Sequence, residues 1–416
     1  MSVSSRKITF LALLICFLVS LFYSYDIFIR VAPSVMVNGL EESFSIDSTS
    51  LGFLSAAYFY SYIVFQLPAG IILDKYSCKW VISGAMFLCV LGNLLFSVSP
   101  NYEFAFLGRI LMGIGSAFGF IGAAKVASIW LPSRFFSSFI GFTVFIGTMG
   151  GLIADTILES LVQDMGWRNG NNVFTAIGII MLFLMLIFIK DSPEAVSKIK
   201  HDRRELSLLA QSRVLLNIFK SYKFWIAGFI GAVLFIPINV LASLWGVGFI
   251  EAKLSVSEPV AAGLNSLLFI GSGVGFMIVS VLSAYTRNYR AMLMISSCIL
   301  TGISILLIYL PMPAWLFTTM FVLLGVSIGP QVLIFEIGKY LSPKGAAASA
   351  TAGVNMINNI VAAILLPLFG FILIHVGGAD KISGHFSLED YYYAMSMLPL
   401  LTLVCIPLCL VFPKEI

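Results

Sequence analysis

The sequence is poor in charge. Only 11% of its 416 residues are charged, against about 25% in water-soluble domains, and 59% are hydrophobic. Because the apolar residues form runs too long for a soluble core, a soluble globular protein is excluded. The net charge of +4 is too small to indicate a nucleic-acid partner. The sequence therefore predicts a membrane protein whose main surroundings are the lipid bilayer.

Cysteine patterns are also missing. The six cysteines are scattered without the spacing of a disulfide framework or a zinc site. Cys405 and Cys409 share a helix face, which is typical of small apolar packing residues. We expect neither a metal nor another cofactor.

Catalytic motifs are absent or misplaced. No G-x-x-x-x-G-K-[ST] loop occurs, so ATP-driven transport by this chain is disfavoured, and no H-E-x-x-H pair occurs. Residues 325–329 match the G-x-S-x-G hydrolase elbow, but that motif requires a strand, a turn and a helix, whereas these residues lie inside an apolar run. We therefore expect a protein that is not an enzyme.

Twelve apolar runs have the length of membrane-crossing helices. They exceed the roughly 9 to 11 residues of a membrane strand and do not alternate in polarity. The first run follows two basic residues as in a signal peptide, but it is too long and lacks a cleavage site. The runs lie at 8–38, 50–73, 80–99, 102–130, 136–160, 171–190, 223–250, 260–284, 290–311, 313–339, 346–375 and 391–413. The sequence thus predicts an all-α membrane protein with twelve transmembrane helices.

Basic residues give the domain organisation and the orientation. A polar segment, 191–222, divides the chain into a first six-helix bundle, 1–190, and a second, 223–416. With the N-terminus inside, the inner segments hold 18 Lys and Arg residues, whereas the outer loops hold three. The positive-inside rule therefore predicts cytoplasmic termini and a cytoplasmic linker.

The two halves contain similar segments. Lys125 stands seven residues before Pro132, and Glu336 stands seven before Pro343. The offset of about 211 residues also places Lys75 close to Arg287 in the alignment of the halves. We expect pseudo-symmetric bundles that are parallel repeats about an axis along the membrane normal, with a cavity between them.

Two motifs resemble those of the major facilitator superfamily. Residues 70–79, GIILDKYSCK, resemble its G-x-x-x-D-[RK]-x-G-x-[RK]-[RK] loop, with serine at the second glycine position. Residues 108–115, GRILMGIG, are similar to its R-x-x-x-G-x-G helix, and Gly166-Trp167-Arg168 is also typical. The resemblance covers the whole chain and implies secondary transport by alternating access.

Two shorter stretches, 28–36 and 117–125, resemble the phagosomal nutrient transporters of intracellular bacteria. That resemblance implies uptake of amino acids or similar metabolites across the bacterial inner membrane.

The charged residues of the loop at 70–79 are candidates for conformational control. Asp74 and Lys75 can pair with neighbouring helix ends and lock one orientation of the halves. The alternative is that these loop charges only set the orientation of the helices in the membrane. The gating candidates are Gly70, Asp74, Lys75, Lys79 and Arg109.

Charges within the membrane are functional candidates because their insertion costs roughly 2.5–3.5 kcal/mol each. Asp26 and Arg30, four residues apart, are expected to face each other, either as a neutralising pair or in substrate or proton binding. Arg109 is expected to reach Asp155 as a structural or gating pair. Proton-coupling candidates are Asp26, Asp155 and Glu336.

Lys125 and Glu336 occupy equivalent positions in the two halves. They are expected to face each other across the inner cavity, as a gate or as the two ends of a zwitterion site. The alternative is that each pairs within its own half.

Polar side chains at helical spacing suggest a water-lined cavity for a small polar solute, with interhelical hydrogen bonding as the alternative for each residue. The predicted substrate or cavity residues are Tyr25, Arg30, Tyr58, Tyr62, Gln66, Lys125, Asn239, Asn265, Gln331, Asn355 and Asn359.

These observations favour a monomeric secondary transporter that takes up a small polar solute such as an amino acid together with protons. An exporter of metabolites, siderophores or drugs with the same fold is the alternative. A receptor or membrane enzyme without translocation has weaker support.

Overall fold

The computed structural model describes residues 9–191, 218–286, 288–342, 347–376 and 386–413. Within these ranges the chain is helical and contains no β-strand, which confirms the predicted all-α fold. In this described part of the chain, eleven helical spans are long and apolar enough to cross a membrane. The central polar segment that was predicted as a linker lies mostly outside the described residues, so the predicted domain boundaries remain predictions.

One of the eleven spans contains two of the twelve predicted helices. Phe139–Phe188 runs for 50 residues, too long for a single crossing. At Gly166 the backbone adopts φ 80° and ψ 158°, a conformation that L-residues rarely reach and that glycine tolerates. This glycine separates the fifth helix from the sixth.

The first half contains helices α1 to α6. Its helices are α1 Phe10–Val35, α2 Ser48–Lys75, α3 Cys78–Ser97, α4 Tyr102–Trp130, α5 from 133 to 165 and α6 from 167 to 188. A short helix, Val37–Phe44, follows α1. In α5 the residues Ala154–Leu158 form a π-helical turn, a local widening that is frequent at functional sites.

The second half contains helices α7 to α12. They are α7 Tyr222–Leu254, α8 Glu258–Thr286, α9 Tyr289–Tyr309, α10 Ala314–Tyr340, α11 Ala347–Val376 and α12 Leu388–Val411. Within α7, Pro237–Trp245 is π-helical. The α-helical geometry of α4 stops after Ser116 and that of α10 stops after Ser327, 211 residues later, so the two helices break at equivalent points.

Polar residues start several helices by satisfying free backbone N–H groups. The Asp47 carboxylate accepts from the Ser50 N–H at 2.8 Å at the start of α2, and Asn101 accepts from Phe104 at the start of α4. Ser387 and Asp390 form a reciprocal capping box ahead of α12. These caps fix where each helix leaves its loop.

The two ends of the bundle differ in charge. Successive helices alternate in direction, so one side of the bundle contains the ends of α2, α6 and α10 and the starts of α3, α7 and α9. This side is here called the basic face. Its described basic residues are Lys75, Lys79, Lys190, Lys220, Lys223, Arg290 and Lys339. The opposite side, here called the far face, carries Arg168 and Lys253 among the described residues.

The two halves pack closely towards the far face. A Cβ atom added at Gly52 of α2 would lie 2.6 Å from the Leu366 carbonyl oxygen of α11. One added at Gly370 of α11 would lie 2.1 Å from the Ser48 carbonyl oxygen of α2. Contacts this short leave no room for a side chain, so backbone packs directly on backbone between the halves.

The halves separate towards the basic face. Along one side of α5, Asp155 and Thr148 are buried, but Gly141, two turns further towards the basic face, is exposed and has no atom near its Cβ position. On α8, Phe269 is buried and Ser280 is exposed in the same direction. The interface is therefore closed at the far face and open at the basic face.

Candidate functional site

A group of polar residues from both halves meets near the middle of the bundle. This central polar cluster consists of Asp26 and Arg30 from α1, Tyr58 and Tyr62 from α2, and Asn355 from α11. Arg30 Nη2 lies 3.6 Å from Asp26 Oδ2, so the pairing expected from their spacing is present. The Tyr58 hydroxyl donates to Asp26 Oδ1, and Asn355 Nδ2 donates to the Tyr62 hydroxyl at 3.4 Å.

The Arg30 guanidinium is enclosed by aromatic rings. Its Cζ lies 5.5 Å from the ring centroid of Tyr58 and 5.8 Å from those of Phe59 and Tyr62. Such cation–π contacts partly replace the water that burial removes. The side chain is 8% exposed, Nε has no hydrogen-bond partner, and the ion-pair partner of the guanidinium among the described residues is Asp26. Arg30 therefore keeps donor capacity for a ligand.

Arg109 has a different environment. Its Nη1 donates to the Ile29 carbonyl at 2.6 Å, and its Nη2 donates to the Ser55 carbonyl at 3.1 Å. The guanidinium also lies over the Tyr58 ring, 5.2 Å from its centroid. Arg109 thus joins α4 to α1 and α2. The predicted ion pair with Asp155 is wrong, because α4 turns Arg109 into the first half while Asp155 faces α8.

The charges around the cluster do not cancel. Arg30 and Arg109 contribute two positive charges, and Asp26 contributes one negative charge. No other described acidic residue forms an ion pair with either arginine. The site therefore has a net charge of +1 when all three groups are ionised, and this charge is suited to an anion.

A second buried carboxyl lies nearer the far face. Asp155 Oδ1 accepts a hydrogen bond from the Ser34 hydroxyl at 2.9 Å, and Oδ2 accepts one from Asn265 Nδ2 at 2.8 Å. Asn265 belongs to the second half, so this contact joins the halves. Ser34 was not among the predicted residues.

The predicted contact between Lys125 and Glu336 is wrong. Glu336 is about half exposed and pairs with Lys339 at 2.7 Å on its own helix. The alternative, a pair within one half, holds for Glu336. Lys125 is half-buried on α4, and its backbone carbonyl accepts from the Ser128 hydroxyl. An exposed glutamate with a neighbouring lysine needs no partner across the cavity.

The predicted polar stripes are buried in both halves, and Asn355 of the second half is half-buried. Asn239 lies in the π-helical part of α7, and Asn359 Nδ2 donates to the Asn355 carbonyl at 2.7 Å. Side-chain atoms without a described partner occur at Gln66, Asn239, Asn265 and Asn358. Gln331 is buried in the 3₁₀ turn of α10. Several of these amides thus keep free hydrogen-bonding capacity.

Tyr25 lies away from the cluster. Its ring stacks near Phe28, and its hydroxyl points at α6, where a Cβ atom on Gly178 would come within 2.7 Å. The prediction that it lines a central cavity therefore does not fit the structure, because its side of α1 faces the interior of the first half.

A family model decides the identity of the fold. The model described as Major Facilitator Superfamily matches residues 8–367. The chain belongs to the Major Facilitator Superfamily. As a member it is a multi-pass membrane transporter of the secondary type and not an enzyme.

Relatives include transporters named for acids. The chain is 23% identical over 396 residues to "Uncharacterized transporter YybO" of Bacillus subtilis, with 86% of each chain covered. It is 26% identical over 217 residues to "Probable galactarate/D-glucarate transporter GudP" of the same organism, covering 49% of this chain and 46% of the relative. It is 26% identical to "Probable sulfoacetate transporter SauU" of Cupriavidus necator, covering 41% and 40%.

Solved structures share the fold. A bacterial homologue of the human lysosomal transporter Spinster, described as inward-facing and unoccupied, superimposes with a TM-score of 0.76 at 14% identity, covering 97% of each chain. A D-xylose–proton symporter gives a TM-score of 0.72 at 14% identity, covering 98% of this chain and 99% of the other.

The major facilitator loop between α2 and α3 is held at the basic face. The Ser77 hydroxyl donates to both carboxylate oxygens of Asp191 at 2.8 Å, and the Lys79 N–H donates to Oδ1 at 3.1 Å. The serine that replaces the family glycine thus ties the start of α3 to the end of α6.

The gating candidates of this loop remain predictions. Lys75 and Lys79 lie over the rings of Tyr76 and Trp80, and Gly70 has open space at its Cβ position. The side chain of Asp74 lies outside the described part of the structure, so the structure does not test its predicted pairing.

A cavity on the far face contains residues that sequence reasoning missed. It measures about 240 Å³, and its lining includes Ser34, Asn38, Trp245, Glu251, Glu258 and Tyr391. These residues come from α1, α7, α8, α12 and the segment after α1. The two glutamates flank a short loop, where acidic residues give no distinctive signal in a sequence.

Proposed function

We propose that this transporter imports a small organic anion together with protons, and that it binds the substrate carboxylate at Arg30. The observation that carries the proposal is the net charge of +1 that Asp26 and Arg30 of the central polar cluster form together with the neighbouring Arg109. An uncompensated cation inside a membrane protein is costly, and a bound anion offsets that cost. Of the two arginines, Arg109 is held by two backbone carbonyls, whereas the described contacts of Arg30 include no carbonyl.

The proposed orientation places the basic face in the cytoplasm. The excess of lysine and arginine at that face supports this choice. The described conformation is then inward-facing, because α5 and α8 diverge towards the basic face. We also propose that one chain is sufficient for transport, since the cluster is assembled from its own two halves.

Sugar acids are the favoured substrate class. Their carboxylate suits Arg30, and their hydroxyl groups suit the free amide groups of the second half. The names of GudP and SauU, which refer to acids, agree with this choice. An amino acid is the second candidate, because residues 28–36 and 117–125 resemble the phagosomal nutrient transporters; its carboxylate would use the same arginine.

Proton coupling follows from competition for Arg30. In the absence of substrate, Asp26 is the nearest counter-charge of this arginine, at 3.6 Å. A substrate carboxylate that binds Arg30 takes over that role and weakens the stabilisation of the ionised Asp26. Asp26 then binds a proton at low cost, so substrate and proton favour each other's binding.

The proposal is tested in proteoliposomes that contain the purified chain. Uptake of radiolabelled D-glucarate, D-glucuronate, L-glutamate, L-leucine and D-glucose is measured with and without an acid-outside gradient. Empty liposomes serve as the control. We expect uptake of at least one sugar acid, faster with the gradient and abolished by a protonophore.

Other results overturn parts of the proposal. Transport of L-leucine or D-glucose, with no transport of D-glucarate, D-glucuronate or L-glutamate, excludes the organic-anion class. Acid uptake that ignores the gradient excludes proton coupling, and flux that requires an opposite gradient indicates export.

A further inference from the structure

Asp155 is a carboxyl group buried between the two halves at the closed end of the interface. It is fully buried in the π-helical turn of α5. Its two oxygens accept from Ser34 in the first half and from Asn265 in the second, and Asn265 also donates to the Ala242 carbonyl at 3.1 Å. The carboxyl therefore belongs to the contact that closes the far face.

Asp155 has no ion-pair partner among the described residues. The charged groups of the helices around it are engaged elsewhere or are acidic. Asp26 and Arg30 on α1 pair with each other, and Arg168 on α6 donates to the carbonyls of Ser97 and Ser99. Lys253 on α7 donates to the Ile308 carbonyl. The other charged groups are acidic: Glu159 and Asp164 on α5, Glu251 on α7 and Glu258 at the start of α8. Two neutral dipoles thus hold the carboxyl.

The site can be reached from the far face. Ser34 lines the far-face cavity of about 240 Å³ and also donates to Asp155, so its hydroxyl connects the carboxyl to that cavity. In the other direction Phe269 of α8 packs against Gly151, where a Cβ atom would lie 2.5 Å from the ring. This contact separates Asp155 from the opening at the basic face.

We propose that Asp155 binds a proton from the far face when the halves close there and releases it to the same face when they open. Closure removes the carboxyl from water and supplies no cation, so it favours the neutral acid. The Ser34 hydroxyl donates to an ionised oxygen and accepts from a protonated one, and Asn265 donates to the other oxygen in both states. The bridge therefore survives protonation.

This proton controls the gate and is not carried across the membrane. It enters and leaves on the far side, whereas the proposed transported proton binds Asp26. Under the proposed orientation, external acid stabilises the inward-facing state. The inference rests on the proposed function only for the assignment of the far face as external.

The test measures the separation of the halves without any substrate. Spin labels are attached at Asn38→Cys and Val260→Cys, two exposed far-face positions in different halves, in a Cys298→Ala background that removes the exposed native cysteine. Distance distributions are recorded in lipid nanodiscs between about pH 5.5 and about pH 8.5. For one linked proton, the ratio of open to closed conformers changes by up to about tenfold per pH unit.

With Asp155 intact, we expect the open population to grow as the pH rises. Asp155→Asn resembles the protonated acid in shape and hydrogen bonding, so the closed distance is expected at every pH. Glu159→Gln, which neutralises the next carboxyl on the same helix, is the matched control and is expected to keep the response.

Three results overturn the inference: a distance that is independent of pH with Asp155 intact, a response that persists in Asp155→Asn, or a response lost in Glu159→Gln. If Asp155→Asn does not fold, Asp155→Glu replaces it, because it keeps a titratable group and is expected to keep the response with a displaced midpoint. Loss of the response in folded Asp155→Glu also overturns the inference. Because no transport is measured, failure here leaves the proposal for Arg30 and Asp26 intact.

Discussion

The two halves share one architecture but use different chemistry inside the membrane. Their fourth and tenth helices break at positions 211 residues apart, yet Asp26, Arg30, Arg109 and Asp155 are all buried in the first half. The second half presents amides at the equivalent depth, and its described buried acid, Asp390, caps α12. The difference suggests that the first half selects charge and the second half selects shape and hydroxyl pattern.

The largest effect is expected from removing the Arg30 charge. Arg30→Gln eliminates the proposed counter-charge for the substrate and leaves the buried Asp26 without its ion-pair partner, so uptake at low substrate concentration falls about 100-fold or more. Initial uptake rates in proteoliposomes measure this effect. Arg30→Lys keeps the charge and is the matched variant, which retains more activity. Equal activity in Arg30→Gln and the unmodified chain contradicts the role given to the first half.

A more selective effect is expected from neutralising the paired acid. Asp26→Asn cannot gain or lose a proton, so accumulation driven by a pH gradient is lost, whereas exchange of labelled for unlabelled substrate continues. The two assays on one preparation separate coupling from binding. Accumulation that persists in this variant moves the coupling role away from Asp26.

A smaller effect is expected in the second half. Asn355→Ala removes a neutral amide that donates to Tyr62, and a neutral hydrogen bond contributes about 1 kcal/mol, or about fivefold in affinity. The loss is expected in KM and to depend on the hydroxyl pattern of the substrate, which competition with different sugar acids measures. An effect as large as that of Arg30→Gln removes the distinction between the halves.

The smallest effect is expected from a charge of the second half that lies at the surface. Glu336→Gln breaks an exposed pair with Lys339, and exposed pairs contribute about 0–1 kcal/mol, so the transport rate changes less than about twofold. Lys339→Gln breaks the same pair from the other side and should give the same result. A large loss confined to Glu336→Gln would restore a coupling role to this carboxyl.

The helices and the local pair were predictable from the sequence. Apolar runs of about 20 residues indicate the crossings directly, and Asp26 and Arg30 meet because four residues make slightly more than one helical turn. The local contact of Glu336 with Lys339 has the same origin, although the sequence interpretation favoured a distant partner.

The partners across helices were not predictable. From their positions along α4 and α5, Arg109 and Asp155 are expected at a similar depth in the membrane. The rotation of α4 about its axis, however, places the Arg109 side chain against the backbone of α1 and α2. The link from Asp155 through Ser34 and Asn265 depends on the packing of three helices. Apolar residues on several sides of each helix leave its rotation undetermined by hydropathy, so the interior of the site requires the structure.

The uncompensated charge of Asp26, Arg30 and Arg109 also has an electrical consequence. An empty transporter with a site charge of +1 responds to the membrane potential, and each full charge moved through 100 mV corresponds to about 2.3 kcal/mol. Loading of one proton and a monovalent anion leaves the site charge at +1, whereas loading of one proton and a divalent anion brings it to zero. With a negative cytoplasm, the voltage acts on the return step of the empty protein. It favours the state in which the site is connected to the cytoplasm, so under the proposed orientation a polarised cell holds its unoccupied transporters in the conformation described.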